Sequence, residues 1–134
     1  MHRPRVYLSG PITKGNRSWN LYQALEAHRL LLQAGYAVLN PMLTMLHPDE
    51  KAIPHHVWLE SDFAFIRACE LLIRLPGESV GADAEVEFAL HECAGTISVV
   101  VLRETGTLEH LVEWIMANPA ADFIASQYSH SEPN

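Results

Sequence analysis

Leu71-Leu72-Ile73-Arg74-Leu75-Pro76-Gly77-Glu78-Ser79-Val80-Gly81-Ala82-Asp83-Ala84-Glu85 decides the fold. It is a short apolar run, a proline–glycine break, and then the opening of a helical pattern. An apolar run this short, almost without polar alternation, marks a strand buried on both faces. The helical pattern that follows carries a carboxylate, Glu85, in what reads as its first turn, with the helix beginning near Ala82. Backbone N–H groups and the positive end of the helix dipole there favour the charged form of a carboxylate.

The same grammar recurs on both sides of this stretch. Upstream, Val6-Tyr7-Leu8-Ser9 is a strand closed by Gly10-Pro11. Trp19 to Gln33 carries Leu21, Ala24, Leu25, His28, Leu31 and Leu32 at helical spacing and stops at Gly35, where a C-terminal cap belongs. Tyr36 to Leu39 is a second strand, broken by Asn40-Pro41, and residues 42–54 form an irregular segment expected to be a mobile loop over one edge. A helix from about His56 to Cys69 precedes the third strand, Leu71 to Leu75. Downstream come a helix over Ala82 to Ala94, a strand over Ile97 to Leu102, and a last helix from Thr107, its cap, to Ala117, stopped by Asn118-Pro119. The polar tail from Ser126 is expected to fray. Strands alternating with helices predict an α/β fold: a three-layer α/β/α sandwich with a small parallel, flavodoxin- or Rossmann-like sheet of four to five strands. No repeat or second domain is evident, so the 134 residues are expected to form one domain.

Composition narrows the partners. A net charge of −7 supplies no basic stripe for duplex nucleic acid, whereas a small nucleotide needs only a local anion site. Cys69 and Cys93 sit in apolar helical contexts without metal-type spacing and read as buried thiols of a reducing cytoplasm. No apolar run spans a bilayer, and Met1 to Arg5 leads straight into a strand without a signal-type apolar region. A cytoplasmic protein without membrane attachment is expected.

Ligands of open parallel sheets bind outside the carboxyl ends of the strands. The turns after the first three strands, Gly10 to Gly15, Asn40-Pro41 and Pro76 to Gly81, fall on that edge. Glu85 shares a helix face with Ala82 and Ala89, beside a stripe of Val86, Leu90 and Cys93, while Glu87 faces elsewhere. It is either a dipole-favoured surface glutamate or a nucleophile. Asp62 belongs to the periodic set Leu59, Asp62, Phe63, Ile66, on or beside a core-facing stripe. There an aspartate is paired or raised in pKa and fit to act as an acid, unless Ser61 or Asp62 caps a shorter helix. One ionised carboxylate and one proton-donating carboxyl are what glycosidic cleavage needs. Tyr7 and Trp58 could stack on a base. His47, His55 and His56 lack chelating spacing, so neither a metal nor a cofactor is expected.

Val6 to Thr13, Asn40-Pro41, Trp58 with Ser61-Asp62, and Leu75-Pro76-Gly77 leading to Gly81 through Leu90 resemble the nucleoside 2-deoxyribosyltransferase superfamily, over roughly residues 5 to 102. The resemblance implies a glycosyl-enzyme formed on Glu85 at C1′ of the sugar, Asp62 assisting protonation of the base, and Tyr7 positioning the nucleophile. It also implies Gly10, Pro11 and Ile12 bordering sugar and base, with Ser79 and Gly81 beside the substrate. Transfer to a second base, or hydrolysis, would follow. Where the transferases usually carry an acidic residue, six before the nucleophile, this chain has Ser79, as in the related deoxynucleoside 5′-monophosphate N-hydrolases, whose serine binds phosphate. Lys14 and Arg17 could add positive charge nearby. A non-catalytic nucleotide-binding module is the alternative from another class. A homo-oligomer is also implied, to which Phe123, Ile124 and Tyr128 could contribute; no match after Leu102 is carried over.

Overall fold

The computed structural model describes residues 2–42, 50–103 and 108–131. Four strands, β1 (Arg5–Ser9), β2 (Ala37–Leu39), β3 (Leu71–Arg74) and β4 (Ser98–Val101), form one sheet in the order β2-β1-β3-β4, every pair parallel. Around it lie α1 (Arg17–Gln33), α2 (His55–Arg67), α3 (Val80–Glu92), α4 (Glu109–Ala117) and α5 (Ala120–Ser131). This is the three-layer, Rossmann-like sandwich that the strand–helix alternation predicts.

Side chains alternate across the sheet, and the two faces bury different cores. Val6, Leu8, Leu71 and Ile73 pack with Ala24, Ala27 and Leu31 of α1, Leu111 of α4 and Phe123 of α5. Tyr7 and Leu72 face the opposite way, onto Ile66 of α2 and Ala89 of α3, with Cys69 and Cys93 in the same cluster. Burial pushes the Cys69 thiol up to about 11, so it is inert. The chain turns back after β1 to add β2 on one side, then crosses β1 to add β3 on the other. The order therefore reverses between β1 and β3, and the loops leaving their carboxyl ends diverge around a crevice.

Several boundaries and faces differ from expectation. α3 starts at Val80, so Glu85 lies in its second turn, and the first-turn acid is Asp83. α2 starts at His55 behind Pro54, which puts Asp62 well inside the helix and excludes a cap at Ser61 or Asp62. From Ser126, where the tail is expected to fray, the chain instead continues α5 as far as Ser131. Pro119 stops α4 and also starts the next helix, whose Phe123 N–H bonds the Pro119 carbonyl at 3.0 Å. In α1, Leu25 and Leu32 are exposed while Asn20 and Gln23 are buried. Their amides bond loop carbonyls of Ile12, Lys14 and Pro76, which satisfies both side chains where they are buried. Leu90 of α3 is likewise exposed rather than part of a buried stripe.

Gly35 caps α1 as expected. At φ +100, its N–H bonds the Leu32 carbonyl and that of Tyr36 the Leu31 carbonyl, the pattern of a left-handed glycine cap. His47 and the proposed cap Thr107 lie outside the described residues, as do 43–49 of the expected loop. Among the described residues no helix is long and apolar enough to cross a membrane.

Candidate active site

β1 supplies two side chains to the face that meets α3, two residues apart and therefore on the same side of the strand. The Tyr7 hydroxyl donates to Oε2 of Glu85 at 2.6 Å, and the Ser9 hydroxyl donates to Oε1 at 2.8 Å. Each oxygen of one carboxyl group is thus held by its own donor from the sheet. Glu85 is only 5 % exposed, flanked along α3 by the small buried residues Ala82 and Ala89 that let the helix approach β1.

Asp62 reaches the same point from α2. Its carboxyl lies beside that of Glu85, close enough for each to shift the other's titration. The register that brings them together is set by the ring of Phe63 stacked on that of Phe88, with centroids 4.1 Å apart and planes 3° from parallel. The Arg67 guanidinium lies 4.8 Å from the Phe88 centroid. Phe63 adjoins Asp62 in α2, and Phe88 is one turn beyond Glu85 in α3, so the stack fixes both carboxyls across one helix–helix seam.

Burial, more than the helix dipole, governs the charge here. Desolvation, with the neighbouring Asp62 adding to it, pushes Glu85 from 4.5 to about 8, although Tyr7 and Ser9 pull the other way. Desolvation raises Asp62 as well, offset in part by the neighbouring Glu85, Tyr7 and His55. Asp62 is raised as its place beside the core predicts, whereas the expectation of a Glu85 kept charged by the helix dipole is corrected. Burial favours protonation of the pair, and the proton belongs to the pair rather than to either residue. Tyr7 is raised above its ordinary value by burial and by both carboxylates, so its phenol remains a donor throughout.

The pair opens into a cavity of about 530 Å³, within the size range of small-molecule sites. Gly10, Ile12, Ser79 and Gly81 line it together with Asp62 and Glu85. Tyr7 is wholly buried behind Glu85, which excludes it as a stacking surface, whereas Trp58 lies on the wall. Pro11 turns away from the cavity to pack on Gly77, where an added Cβ would come within 2.7 Å of the proline Cγ. Ser79 caps α3, its Oγ accepting from Ala82 N–H at 3.1 Å, and retains its own hydroxyl hydrogen to donate. Lys14 also lines the cavity, but its ammonium is paired with Glu78 at 3.0 Å.

Lys51, Ile53, His55 and Leu59 complete much of the wall without having been singled out as ligand contacts. Lys51 and Ile53 follow an irregular segment with no periodicity to read. Ser9 is a further site residue, for which its place two residues from Tyr7, on the same side of the strand, is the signal in the sequence. Among the described residues no cluster of three or more His, Cys, Asp or Glu is arranged to hold a metal ion.

Fold and site together define a single-sheet α/β protein with a paired-carboxyl cleft at its topological switch point. Residues 4–100 match the family described as Domain of unknown function (DUF4406), and the chain belongs to it. Among curated proteins, none matches the chain.

Proposed function

We propose that the protein cleaves the N-glycosidic bond of a deoxynucleoside or its 5′-monophosphate through a glycosyl-enzyme on Glu85, as the resemblance to nucleoside 2-deoxyribosyltransferases implies. The observation that carries this reading is the contact of Asp62 and Glu85 on the wall of one cavity, with both Glu85 oxygens held by Tyr7 and Ser9. The proton of the carboxyl pair leaves through Asp62 to the departing base nitrogen. Glu85 is then left as the carboxylate that bonds to C1′. Trp58, on the wall, offers a stacking face for the base. Asp62 is not engaged as a helix cap, which weighs against a purely binding role.

A 5′-monophosphate is the favoured form of substrate. The free hydrogen of Ser79 and the first-turn N–H groups of Val80 and Gly81 meet at the cavity, with Lys51 on its wall. Incubation with purine and pyrimidine deoxynucleosides and their monophosphates, with and without a second base, tests the reading. Free base with sugar phosphate indicates hydrolysis, and a new nucleoside indicates transfer. Full turnover by Glu85→Ala overturns the mechanism. Tight binding without release of base would make the protein a nucleotide-binding module.

A further inference from the structure

We propose that Ser9 is a positioning residue that speeds breakdown of the glycosyl-enzyme by receiving Glu85 as it departs from C1′. The inference rests on the glycosidase reading and adds a role for a residue which that reading uses only as a tether. Ser9 is wholly buried, and its single hydroxyl hydrogen has two acceptors within reach: Glu85 Oε1 at 2.8 Å and the Ala82 carbonyl at 3.4 Å. A charged carboxylate outcompetes a neutral carbonyl for that hydrogen. When Glu85 is esterified to the sugar its oxygens lose most of that charge, and the Ala82 carbonyl competes for the same hydrogen.

The two steps therefore differ. In the first, a Glu85 oxygen lone pair forms the bond to C1′, the C1′–N pair leaves on the base nitrogen, and the shared proton passes through Asp62 to that nitrogen. The bond from Ser9 weakens as the carboxylate charge is consumed. In the second, a water oxygen or an acceptor-base nitrogen bonds to C1′, and the C1′–O pair returns to Glu85. The proton from the incoming group goes to Asp62. Here the bond from Ser9 strengthens as charge builds on Glu85, so it favours this transition state over its ground state. The other titratable groups facing Glu85 are Tyr7 from β1 and Asp62, with His55 behind it, from α2. Arg74, at the end of β3, is taken by Asp83 at 3.0 Å.

Ser9→Ala in the full chain tests the proposal by rapid-quench measurement of base release with intact-mass detection of the glycosyl-enzyme. The expected result is an undiminished burst of base, followed by breakdown slowed roughly 10- to 100-fold, so that the covalent species accumulates. Equal slowing of both steps overturns the proposal. A second measurement needs no substrate: carboxyl-carbon NMR titration of Glu85, whose midpoint should move upward in Ser9→Ala. Ser9→Cys, close in size and a weaker donor, should fall between and serves if the alanine variant folds poorly. An active wild type with no change in either readout overturns the role of Ser9 alone. A wild type that releases no base overturns the glycosidase reading and the kinetic role with it, while an upward titration would still establish the hydrogen bond.

Discussion

The Tyr7 hydroxyl and Glu85 Oε2 meet at 2.6 Å across 78 residues of chain, buried at the junction of β1 and α3. Because burial and then both carboxylates raise Tyr7, the phenol keeps its proton and serves as a permanent donor. Tyr7→Phe keeps the ring in its core and deletes only that donor. Turnover should fall about 10- to 100-fold, the worth of one hydrogen bond to a charged group, with little change in KM. Steady-state kinetics beside circular dichroism would check it.

The same burial makes stability depend on pH. Glu85 is raised in the folded protein from 4.5 to about 8, so folding favours its protonated form. The stabilisation is complete below the ordinary glutamate range and is lost as pH rises through about 8. Asp62, also raised, acts with the same sign. The melting temperature should therefore fall as pH rises across that window. Glu85→Gln, which cannot ionise, should flatten the fall and melt higher than wild type on the alkaline side while losing turnover. A calorimetric pH series reads both effects.

Asp62→Asn separates acid from nucleophile. It removes the proton delivered to the leaving base, which should cost about 10²- to 10⁴-fold for ordinary purine or pyrimidine substrates. A 7-methylated purine deoxynucleoside already carries positive charge on its base and needs no such proton. Its cleavage should be reduced far less. Equal losses on both substrates would show that Asp62 does not act as the acid.

Much of this site was legible in the chain because helical spacing is local. Glu85 shares its face with Ala82 and Ala89, and Asp62 stands out as a carboxylate in an apolar stripe; both placements depend only on residues a turn or two away. The ionisation of Glu85 was not legible, since it is set by burial against Tyr7, Ser9 and Asp62, contributed by β1 and α2. Burial of Asn20 and Gln23 in place of Leu25 and Leu32 depends on carbonyls in two loops, one of them beyond residue 75. The helix after Pro119 was hidden because a proline that ends one helix can equally begin another.

The seam that carries both carboxyls depends on a pair no periodicity could match, Phe63 on Phe88. Phe63→Ala removes the stack and leaves the Phe88 ring with Arg67 alone. The loss should be about 3 kcal/mol, at the low end for phenylalanine truncation because Phe63 is only half-buried. With α2 no longer held in register, Asp62 should separate from Glu85 and water should enter between them. Both changes pull the Glu85 titration down from about 8 toward its ordinary range. Chemical denaturation gives the stability change, and carboxyl-carbon NMR gives the titration. A destabilised variant whose Glu85 still titrates near 8 would show that the stack holds the helices together without setting the carboxyl pair.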